Sequence, residues 1–304
     1  MKKAIKALLI FLVVACICVP TLLLFAGCYE TVDIDGVCYR IFNHHAEVVN
    51  FYYNDSYPAY AQICIVPAQI EYDDQIYPVT AIGDGYHGTN RLVSDGGYVG
   101  ELVLPETVTQ IRFEDYDDDS FKYLTAYTVH QDNTEYASVN GVLFNKNLDT
   151  LLRYPRFNSE QSFTIPKQTV ELGYESGIWN NENLKYIEVE QGNPYYETED
   201  NILYSIDGSE LVYRPRSEQN YFAIPSTVSV VGFNALPDVG NLFVPKSVTL
   251  FMDAFIKGDF SVFKVSNIYF EGSFLPNYVT VNSFANSNVK TNVTLEEFYT
   301  HLAI

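Results

Sequence analysis

Apolar positions recur in short groups along this 304-residue chain, and four of the groups share one layout. They are "LVLPETVTQIR" (102–112), "FTIPKQTVELG" (163–173), "FAIPSTVSVVG" (222–232) and "LFVPKSVTLFM" (242–252). Each has an apolar residue, a proline, a polar pair and a branched residue, then another apolar residue three positions on. Pro105, Pro166, Pro225 and Pro245 are equivalent, and a looser copy runs from Val66-Pro67 to Ile82-Gly83. Short alternating runs, "YTV" (127–129), "YIEV" (186–189), "LFV" (242–244) and "IYF" (268–270), predict half-buried strands a few residues long. A proline has no N–H to give a ladder, so it ends the strand before it.

The spacing of the prolines separates coil from insertion. Pro225 to Pro245 is 20 residues, the length of one repeat coil, whereas Pro105 to Pro166 is 61 and Pro166 to Pro225 is 59. The two long periods contain matching insertions, "NTEYASVNGVLFNKNLDTLLRYPR" (133–156) and "NPYYETEDNILYSIDGSELVYRPR" (193–216). Asn133/Asn193, Tyr136/Tyr196, Leu143/Leu203, Leu151/Leu211, Pro155/Pro215 and Arg156/Arg216 fall at a constant offset of 60. Two apolar runs bracket a polar turn in each, with Asp207-Gly208 as the turn signal, which predicts a β-hairpin. A single coil cannot bury its apolar face, so the coils stack and share one core.

These residues resemble the BspA-like leucine-rich repeat family, in which an Ile-Pro is followed by a Ser-Val-Thr-like turn, an Ile-Gly and an Ala-Phe. Val244-Pro245-Lys246-Ser247-Val248-Thr249 and Ala254-Phe255 fit that pattern, and "YPVTAIGD" (77–84) looks like the family's opening segment. The resemblance covers roughly residues 60–275. Departures are Arg112 in place of glycine, and Ser176-Gly177 and Ala235-Leu236 in place of Ala-Phe, which predict irregular coils. The expected fold is a right-handed, β-rich leucine-rich-repeat solenoid with β-hairpin insertions and terminal caps. Its parts are a leader (1–27), an N-terminal β cap (28–66), the repeats (67–275) and a C-terminal cap (276–304), where "TLEEFYTHLAI" predicts a short amphipathic helix covering the open end.

The leader carries a separate signal. Lys2, Lys3 and Lys6 precede an apolar run from Ala7 to Gly27, the layout of a secretory signal. Phe25-Ala26-Gly27-Cys28 resembles the bacterial lipoprotein signal, which implies a diacylglyceryl group on the Cys28 thiol. Phe25 departs from the branched residue preferred there. The run is also long enough for an uncleaved anchor, given a hydrocarbon core about 30 Å thick. Both readings export the rest of the chain. Of five cysteines only Cys38 and Cys64 remain in the body, as one disulfide or as two buried thiols.

Charge narrows the partners. The chain carries −20, and loss of the three leader lysines takes the body to −23, which repels nucleic acid and anionic lipid headgroups. Aromatic residues make up 15% of the chain, and tyrosines are the most numerous among them, as suits strands and recognition surfaces alike.

Searches for chemistry return little. Asp115, Asp117 and Asp119 have calcium-loop spacing, but Ser120 stands where glycine is needed and Ala126 where the bidentate Glu belongs. His44 and His45 are adjacent in a predicted strand and point to opposite faces. "GYESG" (173–177) places its serine one position late for a nucleophile elbow. "NDS" (54–56) and "NVT" (292–294) are glycosylation sequons, meaningful only in a eukaryotic source. No cofactor is expected.

Strand alternation assigns the faces. Leu102, Leu104, Tyr127, Val129, Ile187, Val189, Leu242, Val244, Ile268 and Phe270 should point inward. Val103, Thr128, Tyr186, Glu188, Phe243, Tyr269 and Glu271 should point outward. Tyr186, Phe243 and Tyr269 would form an aromatic row, with Glu188 and Glu271 beside it, unless the hairpin insertions fold over it. The family resemblance implies a surface-exposed binding or adhesion module, lipid-anchored to a bacterial membrane, for a host or matrix protein or a glycan. The alternatives are a secreted enzyme, such as a polysaccharide hydrolase using surface carboxylates, and a membrane-anchored structural surface protein. Replacing Cys28 by Ala should block maturation or release the protein from membranes; absence of labelled fatty acid from the wild-type chain would instead leave the uncleaved anchor.

Overall fold

The computed structural model describes residues 29–51, 63–83, 99–112, 124–172, 176–232, 235–237, 239–252, 265–273 and 287–302. Cys28 and the leader, the acidic run 114–119, most of "GYESG" and the sequon at 54–56 lie outside them. By internal contacts the chain divides into a first unit, Met1–Lys122 with Val129–Glu135, and a second, Tyr123–Thr128 with Tyr136–Ile304.

In the first unit, β1 (Glu30–Ile34), β2 (Val37–Ile41) and β3 (Ala46–Phe51) form an antiparallel meander. Asp35-Gly36, both at positive φ, make its tight first turn. β4 (Ile63–Ile65) stands apart, and β5 (Gln69–Tyr72) and β6 (Gln75–Ile82) form a hairpin through Asp73-Asp74. β3 then pairs parallel with β6, while β4 pairs parallel with β7 (Glu101–Leu104) and β6 with β8 (Gln110–Ile111). The two parallel ladders belong to opposite sides of one proline turn: β7 stops at Leu104, Pro105 follows, and buried Val108 leads into β8.

Arg112 does not make its coil irregular. β8 keeps register with β6, pairing Ala81 with Gln110 and Ile82 with Ile111. The large side chain fits because Gly83 lies alongside, at φ +105, where an added Cβ would stand 2.5 Å from the Arg112 carbonyl oxygen. The guanidinium reaches Glu47, donating from Nη1 to Oε2 and from Nη2 to Oε1, both at 2.8 Å, and from Nη1 to the Gly83 carbonyl at 3.0 Å. Burial alone would raise the Glu47 pKa, but the Arg112 hydrogen bonds and charge, with His45, hold it below its ordinary value. His44 and His45 sit in the β2–β3 turn, closed by the Phe42 amide on the His45 carbonyl, and not in a strand. Cys38 and Cys64 are both buried and no disulfide joins them; burial pushes the Cys64 thiol up to about 12.

Of β9 (Ala126–Val129), Ala126 to Thr128 belong to the second unit and Val129 to the first. β10 (Tyr136–Val139), β11 (Val142–Asn145) and β12 (Thr150–Arg153) form an antiparallel meander, and β12 pairs parallel with β14 (Glu171–Leu172). Between them in sequence, β13 (Ser162–Ile165) pairs parallel with β15 (Tyr186–Val189). The plan then repeats. β16 (Tyr196–Glu199), β17 (Ile202–Ser205) and β18 (Glu210–Tyr213) are the second meander. β18 leads a parallel ladder with β20 (Val230–Val231) and β22 (Leu250–Phe251). Opposite it, β19 (Tyr221–Ala223), β21 (Asn241–Val244), β23 (Asn267–Phe270) and β24 (Asn288–Lys290) form the other ladder. Leu211, Val231 and Phe251 from one ladder meet Leu242, Val244, Ile268 and Phe270 from the other in a shared core. A 3₁₀ turn at Ile178–Asn180, holding buried Ile178 and Trp179, follows Ser176-Gly177. α1 (Leu295–His301) ends the unit.

Each insertion is a three-stranded meander and not a single hairpin. Asp207-Gly208 does join β17 to β18, but a second tight turn precedes it, at Asn140-Gly141 in one copy and Asp200-Asn201 in the other, all four at positive φ. The expected inward residues are inward: Leu102, Leu104, Tyr127, Ile187, Leu242, Val244, Ile268 and Phe270 are buried, and Val129 and Val189 half-buried.

Buried asparagines fasten coil to coil. The Asn193 amide donates to the carbonyls of Pro166 (3.1 Å) and Thr169 (2.8 Å), while its oxygen accepts the amides of Tyr195 and Tyr196. Asn133 does the same to Pro105 (2.7 Å) and Val108 (2.9 Å). Asn181 donates to Pro155, Arg156 and Asn158 carbonyls and accepts from Asn183 and Leu184. Each therefore grips the proline turn of the preceding coil and starts the turn of its own. Removing one partner leaves several buried backbone groups unsatisfied. Asn193→Ala should cost roughly 2–4 kcal/mol, and the exposed Asn183→Ala less than about 1, measured by urea unfolding; equal losses would contradict the assignment.

Candidate functional site

A parallel strand pair presents every second residue to one face, so the register decides which side chains meet. In the β13–β15 ladder Ser162 lies beside Tyr186 and Thr164 beside Glu188, while Phe163, Ile165 and Ile187 fill the buried face. Ser162, Thr164, Tyr186 and Glu188 are all exposed, with Tyr186 at 58%. β15, which carries Tyr186 and Glu188, is held on both sides. The Lys185 and Tyr186 amides bond to the Gln161 carbonyl, and the Asn201 oxygen accepts the Ile187 amide at 2.7 Å. The Asn201 amide in turn donates to the Lys185 carbonyl at 2.6 Å, so a side chain from the meander turn closes the outer edge of β15. The result is a firm surface carrying two hydroxyls, a phenol ring and a carboxylate. Such a set can stack on a ring and exchange hydrogen bonds in both directions.

The expected aromatic row does not stand open. Phe243 is 3% exposed and Tyr269 5%, so neither faces solvent. Both do lie on the outer face, paired in register across β21 and β23. Their cover is α1: the Phe298 ring is 5.5 Å from Phe243 and 5.2 Å from Tyr269, centroid to centroid. The row was expected to be open, or else covered by the insertions, and the C-terminal helix was expected over the open end of the core; instead the helix lies on the sheet and covers Phe243 and Tyr269. It takes that position because one residue, Phe298, is its buried face, joined by half-buried Leu302. A capping box between Thr294 and Glu297 starts it, which holds Glu297 below its ordinary pKa.

Glu271 is half-buried and occupied: its Oε2 accepts the Lys246 amide at 2.9 Å. Glu190 repeats this on Lys167 at 2.8 Å, so a glutamate just past a strand tethers the Pro-Lys turn of the coil before. Of the remaining outward residues, Thr128 is exposed and Val103 half-buried; in the first unit Ile63 and Ile65 flank Val103's ladder in the open. Ser162 and Thr164 were not anticipated. Their signal in the sequence is the alternation in "SFTI" just before Pro166.

Chemistry beyond binding finds little support in side-chain placement. Asp207 and Glu210 are pushed apart in pKa, the pattern of an acid–base pair. Asp207 is lowered to about 2 by hydrogen bonds from Ser205 and Ser209, and Glu210 is raised first by burial and then by Asp207. Asp207 lies in the β17–β18 turn, which its bonds shape, and Glu210 opens β18 just after it. Among the described residues no group of three or more His, Cys, Asp or Glu side chains could hold a metal ion, and no helix is long and apolar enough to cross a membrane.

No family model matches the chain, and a search of curated proteins returns no match. Several solved structures are similar. A leucine-rich repeat protein from Eubacterium ventriosum is 16% identical, with a TM-score of 0.44 over 87% of this chain and 79% of that one. A leucine-rich cell surface protein from Faecalibacterium prausnitzii is 14% identical, with a TM-score of 0.36 over 89% and 97%. A leucine-rich repeat protein from Bacteroides ovatus is 15% identical, with a TM-score of 0.33 over 86% and 67%. Likeness this loose carries over no function.

The two sets of aromatics should separate on mutation. Tyr186→Ala should change stability by no more than about 0.5 kcal/mol. Phe243→Ala should cost roughly 3–5 kcal/mol, as expected for a buried ring. Thermal or urea unfolding reads both, and a large loss for Tyr186→Ala would make it core.

Proposed function

We propose that this protein is an exported surface module of the BspA-like leucine-rich-repeat type that binds a host or matrix protein or a glycan through the open β13–β15 face. The observation that carries the reading is Tyr186, exposed beside Ser162, Thr164 and Glu188, on a strand that β13 and Asn201 hold at its two edges. A rigid aromatic ring lowers the ordering cost of binding, and rings commonly anchor interfaces. Repeated parallel ladders support a solenoid arrangement, which presents such a face without needing a pocket. The lipoprotein-like leader with Cys28 supports attachment to a bacterial membrane at the cell surface, and the negative body speaks against nucleic acid as partner. Function on this reading is adhesion rather than catalysis, and no cofactor takes part.

The test is direct. Wild-type protein and the Tyr186→Ala/Glu188→Ala double variant are applied to a glycan array and to immobilised matrix proteins. A ligand held by the wild type and weakened at least about tenfold (roughly 1.4 kcal/mol) by the double variant supports the face. Equal capture by both proteins moves binding elsewhere, and no capture by either removes the adhesion reading.

A further inference from the structure

The two insertions differ at one buried position in a way that packing does not explain. Tyr154 and Arg214 correspond at the offset of 60. Their amides bond to corresponding carbonyls, those of Ser176 and Ala235. Their side chains lie against a phenylalanine of the strand that follows: the Tyr154 ring meets Phe163 edge-on at 5.3 Å, and the Arg214 guanidinium carbon stands 5.2 Å from the centre of Phe222. A neutral phenol suits such a place. A guanidinium does not, because it keeps its charge in any protein setting.

Arg214 is only 5% exposed, yet its charge is poorly met. Nη2 donates to the Gln219 carbonyl at 3.5 Å, and Nη1 is buried with no hydrogen-bond partner. Among the described residues no carboxylate acts on it, in a chain that holds 38 acids. Burial lowers its pKa, and Tyr213 opposes that shift. Tyr213 is 1% exposed and its hydroxyl is also buried without a partner, as is that of Tyr154. Burial raises the Tyr213 pKa, Tyr154 raises it further, and Arg216 and Arg214 lower it, so phenol and guanidinium lie in each other's field. A buried charge without a counter-charge is strongly destabilising, and so is a buried donor with nothing to accept its proton.

We propose that the core at Arg214 is a binding site for a small anion of halide size, held by the Arg214 guanidinium with the Tyr213 hydroxyl as a second donor. The anion would answer the charge and both idle donors together, through charge-assisted bonds. Size follows from the donor set. A phosphate or sulfate has several oxygens, and two donors would leave most of them buried and unsatisfied, whereas a spherical ion requires no fixed directions. The surface acids do not forbid the site, since exposed charges are screened over about 10 Å in ordinary salt. Because β18 and β19 bring Arg214 and Phe222 together, the anion belongs to the joint between the second meander and its coil, apart from the β13–β15 face.

Chloride is the probe in solution and bromide in the crystal. The urea-unfolding equilibrium of wild-type protein should shift toward the folded state by at least about tenfold between ~1 mM and ~100 mM chloride, with gluconate holding ionic strength constant. Arg214→Tyr, which copies the first insertion, should lose this dependence, and Tyr213→Phe should weaken it. Wild-type crystals soaked in bromide should show an anomalous peak at hydrogen-bond distance from Arg214 Nη1, a result that rests on no variant. Water alone at that place, an unresponsive wild type, or an equal chloride response in Arg214→Tyr overturns the proposal. A bromide peak without any chloride response is an adventitious ion only and overturns it too. Tyr186→Ala should leave the chloride response unchanged, which keeps this test independent of the open face.

Discussion

A buried carboxamide bridging two coils is the interaction on which the rest depends. A proline turn leaves carbonyls pointing inward with no strand to receive them, and those groups cannot stay unpaired away from water. Asn193 supplies two donors to the Pro166 turn and one acceptor to the amides that open its own turn. Because both ends are backbone, the bond fixes position as well as energy: the preceding turn cannot slide without breaking it. The two-residue ladders β14, β20 and β22 would specify register weakly by themselves. With the turns pinned, Leu211, Val231 and Phe251 fall in line against the opposite ladder.

The same fixing explains how the long insertions are accommodated. A meander leaves the coil after Asn133 or Asn193 and returns in β12 or β18, which then serves as a strand of the parallel ladder. The insertion is therefore a part of the core and also closes a neighbouring edge. Asn201, in the turn of the second meander, bonds the exposed side of β15, and in the first copy the Gly141 carbonyl takes the Tyr127 amide. Gly141 allows that approach because any Cβ there would meet Ala126 at 3.0 Å. One task is performed by backbone in one copy and by a side chain in the other.

Much of this was legible in the sequence where the signal was local. The prolines end strands, the inward residues alternate as expected, and the offset of 60 already paired Asn133 with Asn193, although nothing local disclosed what their amides would bond. The second turn of each insertion is less legible: Asn140-Gly141 is a strong hairpin signal, but Asp200-Asn201, its counterpart in the other copy, is not. The exposure of Phe243 and Tyr269 failed for another reason. Alternation correctly put them on the outer face, but exposure also depends on what else lies there, and Phe298 arrives from far along the chain. No period in β21 or β23 encodes that contact.

The chemical nature of the ties has a consequence for where such a chain can live. Asn181 and Asn193 are amides, which neither gain nor lose a proton across the whole range in which carboxylates and histidines change charge. Acidification of the surroundings therefore changes the charge of the surface and what it attracts, while the Asn181 and Asn193 ties themselves stay chemically as they were. Registry held by amides and charge held by acids thus answer to different residues, and they meet only where Glu190 and Glu271 accept the Lys167 and Lys246 amides.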